Sequence, residues 1–214
     1  TTTINTATVT SAGTQTYTGA VTLGADTTLT TTDSTVLFSS TVDSTGGARD
    51  LTVSAGTGAI TFTGAVDGTA ALDALALNST GTTTLTAAVT AGSLATNAGG
   101  TTAINGGAVT TTGAQTYNDN VTLGANTALS ATTTTFNGTV AGGGCNLGLT
   151  GNVVLGDATT DTVTGLGTLA VSGTTTINTA TVTSAGTQTY NGAVTLGADT
   201  TLTTTDSTVL FSST

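Results

Sequence analysis

The sequence predicts an all-β chain wound as a parallel β-helix, a β-solenoid with triangular coils of roughly 19–24 residues. Three observations lead there. Of 214 residues, 65 are threonine and 30 glycine, and β-branched residues suit a pleated, half-buried surface. Short apolar triplets recur in a fixed order at a nearly constant spacing. Proline is absent, as it must be from strands that donate ladder hydrogen bonds in the middle of a sheet. With 36% hydrophobic and 3% aromatic residues the core has to be thin. A mean hydropathy of +0.29, without the Pro, Glu and Lys that disordered chains favour, argues against disorder.

The triplets define the strands in order. Leu51-Thr52-Val53, Ile60-Thr61-Phe62 and Ala65-Val66 make one readable coil. The order returns as Leu75-Ala76-Leu77, Thr84-Leu85 and Ala88-Val89, then as Leu147-Gly148-Leu149, Val153-Val154-Leu155 and Thr162-Val163. It appears again at Leu169-Ala170-Val171, Thr176-Ile177 and Thr181-Val182. Matching positions step by 24 (Leu51 to Leu75), 23 (Val66 to Val89), 19 (Leu85 to Ile104) and 22 (Leu149 to Val171). Three strands per step is one coil. Neighbours along a strand face opposite sides, so Leu51 and Val53 enter the core, Thr52 faces water, and the threonine hydroxyls are expected outside. Gly56, Gly58, Gly64, Asn97 and Gly99-Gly100 fall between triplets, where turns need positive φ.

Longer repeats overlie the coils. Residues 174–214 repeat 1–41 with 40 of 41 positions identical, the exception being Thr18 against Asn191. The step from Thr1 to Thr174 is the period of this long repeat, and a degenerate block related to its start begins at Thr101. The expected organisation is one continuous solenoid: residues 1–173 form a unit with related blocks starting at 1 and 101, and 174–214 begin the next. The sequence reads as a window from a longer tandem array. Stacking at ~4.8 Å makes one unit of about eight coils a rod about 40 Å long.

Charge narrows the function classes. Eleven aspartates against the single base Arg49 give a net charge of −10. That excludes nucleic acid, which needs clustered Lys and Arg, and anionic membrane surfaces. No apolar run approaches the ~18 residues of a membrane span. Paired-carboxylate catalysis needs two acids about 5–9.5 Å apart, and no His, Lys or Glu is present as a second role-player, so no enzyme and no cofactor is expected. The aspartates, among them Asp26, Asp33, Asp43, Asp50, Asp67, Asp73 and Asp119, read as solvated turn residues. Asp157 and Asp161 in GDATTD are the nearest approach to a calcium site, but the Gly-Gly-x-Gly-x-Asp nonapeptide is missing and no metal site is expected.

Binding surfaces remain. The pairs Thr8/Thr10, Thr14/Thr16, Thr61/Thr63, Thr82/Thr84 and Thr174/Thr176 have the spacing of an ice-binding face, though uneven coil lengths spoil a lattice match. The most specific local motif is GTQTY at 13–17, GAQTY at 113–117 and GTQTY at 186–190. Gln15, Tyr17, Gln115, Tyr117, Gln188 and Tyr190 are therefore the candidate motif residues, as corner fillers of the core or stacked ladders, with surface contact to a glycan or another fibre as the alternative. Cys145 reads as a small buried filler or an interchain thiol. The sequons at Asn78, Asn120 and Asn137 are expected by chance in so threonine-rich a chain.

The GTQTY-(T/N)-G-AVTLGAD-TTLT stretches at 13–30 and 186–203, with the weaker copy at 113–129, resemble the repeat region of filamentous-haemagglutinin-like proteins, large bacterial exoproteins of the two-partner-secretion type. The resemblance implies a right-handed parallel β-helix, an extracellular or cell-surface location, and roles in adhesion or biofilm. The role expected is a structural shaft that associates with itself end to end. The alternative is a module binding glycan, surface or ice through threonine-rich faces and tyrosine corners.

Overall fold

The computed structural model describes residues 1–68 and 70–213. They form 27 β-strands and no helix, and the strands pair in parallel with those one coil earlier and one coil later. The chain is a triangular β-solenoid of about ten coils. Its first face begins with Thr2–Ile4, its second with Thr8–Ser11 and its third with Gln15–Tyr17.

The third face is a ten-stranded sheet running from Gln15–Tyr17 to Thr201–Thr204. Its register passes from Gln15 to Val36, Ile60, Thr83, Thr102, Val121, Val140, Val163, Val182 and Leu202. The longest coil on this path runs from Val36 to Ile60, and the shortest are those such as Thr102 to Val121. The other two faces fuse into a 14-stranded sheet, because Val89–Thr96, Thr127–Phe136 and Leu147–Leu155 each bend round the corner between them. The first three strands of the first face stand apart as a three-stranded sheet. All four spacings read from the sequence are register pairs: Leu51 with Leu75, Val66 with Val89, Leu85 with Ile104 and Leu149 with Val171.

Alternation along each triplet builds the core. In Val36–Phe38 the outer pair is buried and Leu37 lies half out; in Leu51–Gly56 the inward residues are Leu51, Val53 and Ala55. Each inward residue stacks on its counterparts above and below, so each face carries mainly apolar columns, broken in places by residues such as Thr83 and Thr102. Aromatic rings join one of these columns, Tyr17 over Phe38 over Phe62, with centroids 5.2 and 4.6 Å apart.

Two expectations need correction. Threonine is not confined to the outside: Thr27, Thr83, Thr102, Thr134 and Thr175 are among those buried at inward positions. The thin core leaves room for a side chain of valine's shape, and some of these hydroxyls find partners. Thr27 donates to Ala25 O and Thr6 O, both at 3.0 Å. The hydroxyls of Thr83, Thr134 and Thr175 have none among the described residues. A buried hydroxyl without a partner costs about 1–3 kcal/mol. Thr83→Val is therefore expected to raise stability by about 1–2 kcal/mol in chemical denaturation, with no loss at a residue of the same shape.

The second correction concerns glycine. Gly56 does have positive φ, at 60°. Gly64 does not, and its constraint is close packing of coils: a Cβ there would overlap the backbone carbonyl of Ser40 in the coil below.

The long repeat is not a whole number of coils. From Thr2 the register climbs the first face through Val21, Val42, Val66, Val89, Val109, Leu129 and Leu149 to Val171, eight coils on. The copy of Thr2, Thr175, lies one face further, paired with Val153 on the second face. Each period therefore turns the pattern by one side of the triangle.

Candidate functional site

The three Gln-Tyr motifs fall on three different faces. Gln15–Tyr17 lies on the third, paired with Val36–Phe38; Gln115–Tyr117 lies on the second, between Leu94-Ala95 and Thr134–Phe136; Gln188–Tyr190 lies on the first, between Leu169–Val171 and Val209–Phe211. The motifs do not stack on one another, so the expected glutamine or tyrosine ladder does not form. The phase advance of the repeat separates them.

Their geometry is nonetheless the same. Gln and Tyr are i and i+2 on a strand, so both point inward. The Gln115 amide Nε2 donates to Val109 O and to Ser130 O, both at 3.0 Å. Tyr117 Oη donates to Gln115 Oε1 at 3.0 Å. Gln15 repeats this with Val9 O (3.2 Å), Thr30 O (2.9 Å) and Tyr17 (3.1 Å). Gln188 does so with Val182 O (3.2 Å), Thr203 O (2.9 Å) and Tyr190 (3.0 Å). In each case the acceptors belong to the preceding face, one in the glutamine's own coil and one in the next.

The motif is thus a corner clamp. Where the chain leaves one face, ladder bonding is interrupted and two carbonyls, six residues before the glutamine and fifteen after it, turn toward the interior. A buried carbonyl requires a donor. The primary amide supplies two N–H groups and spends its oxygen on the tyrosine. A nearby hydroxyl closes the turn: Thr111 Oγ1 donates to Gly113 O at 3.0 Å, and Ser11 and Ser184 make the same bond to Gly13 and Gly186. Each tyrosine also stacks on a phenylalanine of the next coil, Tyr117 on Phe136 and Tyr190 on Phe211, both at 5.3 Å between centroids. Burial pushes all three phenols above their ordinary range, so they remain protonated donors.

Tyr117 and Tyr190 are fully buried, whereas Tyr17 is only half-buried. The sequence signal for the clamp is the pairing of Gln with Tyr two residues on, preceded by Ser or Thr and then Gly.

The threonine pairs line up only in short runs. On the second face Thr8/Thr10 sits beneath Thr28/Thr30 and Thr52/Ser54, where Ala76 and Asn78 end the row. On the third face Leu37 separates Thr16 from Thr61. Thr82/Thr84 stacks on Thr101/Ala103, while Thr174 bonds to Asn152 Oδ1 at 2.9 Å and Thr176 faces Val154. Asp161 Oδ2 accepts from the N–H groups of Asp157 (3.1 Å) and Ala158 (3.0 Å), closing its own turn. Cys145 is a free, half-buried thiol packed against the core.

For Asp119 the expectation of a solvated turn acid is corrected too, because its side chain is buried. It accepts from the Gly100 N–H at 2.9 Å and the Thr102 hydroxyl at 3.1 Å, bonding across successive coils. Burial raises its carboxyl above the ordinary range, and these two bonds oppose the rise. A raised folded-state value favours the protonated form, so the associated stability is present in acid and lost as pH rises through that value. Asp119→Asn is expected to raise the thermal midpoint at neutral pH, by an amount that shrinks as pH is lowered. A gain that grows in acid overturns that assignment.

Leu196 (58%), Leu210 (46%) and Phe211 (51%) are exposed, and Val194, Leu196, Leu202 and Phe211 line a hollow beside them. Comparison with family models, curated proteins and solved structures finds no match.

Proposed function

We propose that the chain is a stretch of the shaft of an extracellular bacterial fibre or giant adhesin of the filamentous-haemagglutinin-like kind, with a structural and non-enzymatic role. One observation carries this reading. The near-identical segments 1–41 and 174–214 lie on different faces yet form matching strands, the same Gln-Tyr clamp and the same Tyr-Phe stack. Their sequence encodes a way of winding and not a particular side of the rod.

A repeat that turns by one face per period carries any surface feature around the axis, which suits a spacer better than a flat array that must face one way. The charge fits as well. Nine aspartates against one arginine over positions 1–173 keep neighbouring rods apart at low salt.

The test is length. Engineered chains of one, two and four copies of the 1–173 unit, imaged by electron microscopy, are expected to lengthen by about 40 Å per added unit at constant width. Beads of fixed size overturn the shaft. The same arrays are expected to be silent on glycan arrays and in thermal hysteresis, and a strong signal in either favours the binding module.

A further inference from the structure

We propose that the uncharged stretch of the first face, from Thr90 to Ala170, is a lateral contact surface for a second copy of the chain, with the two rods side by side and running the same way. This rests on the shaft reading and names the partner at the shaft's flank.

Charge sets where two such rods meet. Six of the nine aspartates in positions 1–173 lie between Asp26 and Asp73, together with Arg49. From Ala74 to Gly156 the only charged residue is Asp119, and it is buried. Asp157 and Asp161 fall between the second-face strand that ends at Leu155 and the third-face strand that starts at Thr162, at the corner opposite the first face. The first face is therefore bare of charge over these coils, on a chain whose net charge is −10.

The relief of that surface is self-complementary. One outward column is Thr90, Thr110, Ser130 and Thr150, and the other is Ala108, Ala128, Gly148 and Ala170. The first is a ridge of hydroxyls at the strand spacing of about 4.8 Å, and the second is a groove. A hollow follows the groove, lined by Ala128, Gly148 and Ala170, with Thr150 and Ser172 on its bank. A two-fold axis parallel to the rods sets each ridge in the other's groove, coil against coil. A second rod of stacked strands repeats at the same spacing, so the fit holds at every coil.

Gly148 has no reason inside its own chain. It is paired on both sides, with Ala128 and Ala170, and lacks the positive φ that demands glycine. A Cβ there would meet nothing nearer than Thr127 O, at 3.9 Å, unlike the overlap at Gly64. Glycine weakens a strand, and where the fold does not require it, it marks the close approach of another backbone.

The patch is small, about 200 Å² on each rod from its coil spacing, against the roughly 800 Å² per partner of a stable pair. Single chains pair transiently, and a shaft gains hold by repeating the contact. In this alignment the coils from Asp26 to Asp73 lie beside their counterparts, so salt strengthens the contact by screening them.

The experiment uses the 214-residue chain in a Cys145→Ser background. Two variants, Ala108→Cys and Thr110→Cys, are mixed and oxidised with copper phenanthroline. The two-fold axis sets Ala108 of one rod opposite Thr110 of the other, so the disulfide that joins unlike variants is expected to exceed like-with-like products well beyond random pairing, and to increase with salt. Thr150→Asp is expected to abolish it, while Thr122→Asp, outward on the third face, leaves it unchanged. Gly148→Thr separates contact from folding: it is expected to abolish the crosslink while raising the urea midpoint, because threonine suits a strand better than glycine. Random pairing, an excess of like-with-like products, or a Gly148→Thr chain that crosslinks as before overturns the proposal. The shaft reading stands on the lengthening of single rods and survives each of these results, whereas beads of fixed size remove both.

Discussion

Gln115→Leu is expected to destabilise the solenoid by about 3–4 kcal/mol, one of the two largest single effects in the chain. Leucine fills similar space, so the loss is almost entirely of hydrogen bonds. The amide gives N–H groups to Val109 O and Ser130 O and accepts from Tyr117, in a site where both side chains are fully buried. Removing it strands two carbonyls and a phenol at once, and a buried group left without its partner costs about 1–3 kcal/mol.

The companion variants isolate the cause. Tyr117→Phe alone is expected to cost about 1–2 kcal/mol, because only the amide oxygen is left unpaired. Adding Tyr117→Phe to Gln115→Leu is expected to recover part of the loss, since the stranded phenol is gone; the double-mutant cycle in urea measures the coupling. A Gln115→Leu variant as stable as the parent means the clamp does not hold the corner.

Phe38→Ala is expected to cost about 3–5 kcal/mol, with a localised result. Phe38 is 1% exposed and lies between Tyr17 and Phe62 in the stack. Its removal opens a cavity that neighbouring rings, held by their own coils, do not fill. A solenoid is close to one-dimensional, each coil touching only its neighbours, so the damage stays near the site. Hydrogen exchange is expected to show lost protection first in Gln15–Tyr17, Val36–Phe38 and the coils they belong to, with the strands beyond Thr101 unchanged. Uniform loss along the rod contradicts a one-dimensional fold. Gln115 lies near the middle, so its substitution is expected to weaken both halves.

These two residues mark different depths of legibility. Phe38 belongs to an alternating triplet, and its burial follows from the period of a strand. Gln115 is recognisable as part of a recurrent motif, but its bonds run to carbonyls six residues earlier and fifteen later, and the second distance depends on the length of a coil. Asp119 escapes a sequence reading for the same reason. Its partners are Gly100 and Thr102, in the coil below, and an isolated aspartate in a polar stretch carries no sign of them.

Strands, coil length and a ladder of Val, Leu and Ile are readable from residues alone, because parallel in-register stacking brings like positions together and prints the coil length into the sequence as a spacing. Leu51 to Leu75 and Val66 to Val89 are register pairs for that reason. The face on which each motif lies is not readable. Coils differ in length, as Val36 to Ile60 does from Leu85 to Ile104, and the small differences accumulate until one long repeat makes eight coils and one further side. Which face carries each glutamine clamp depends on that accumulated phase, a sum over the whole winding that no single segment contains.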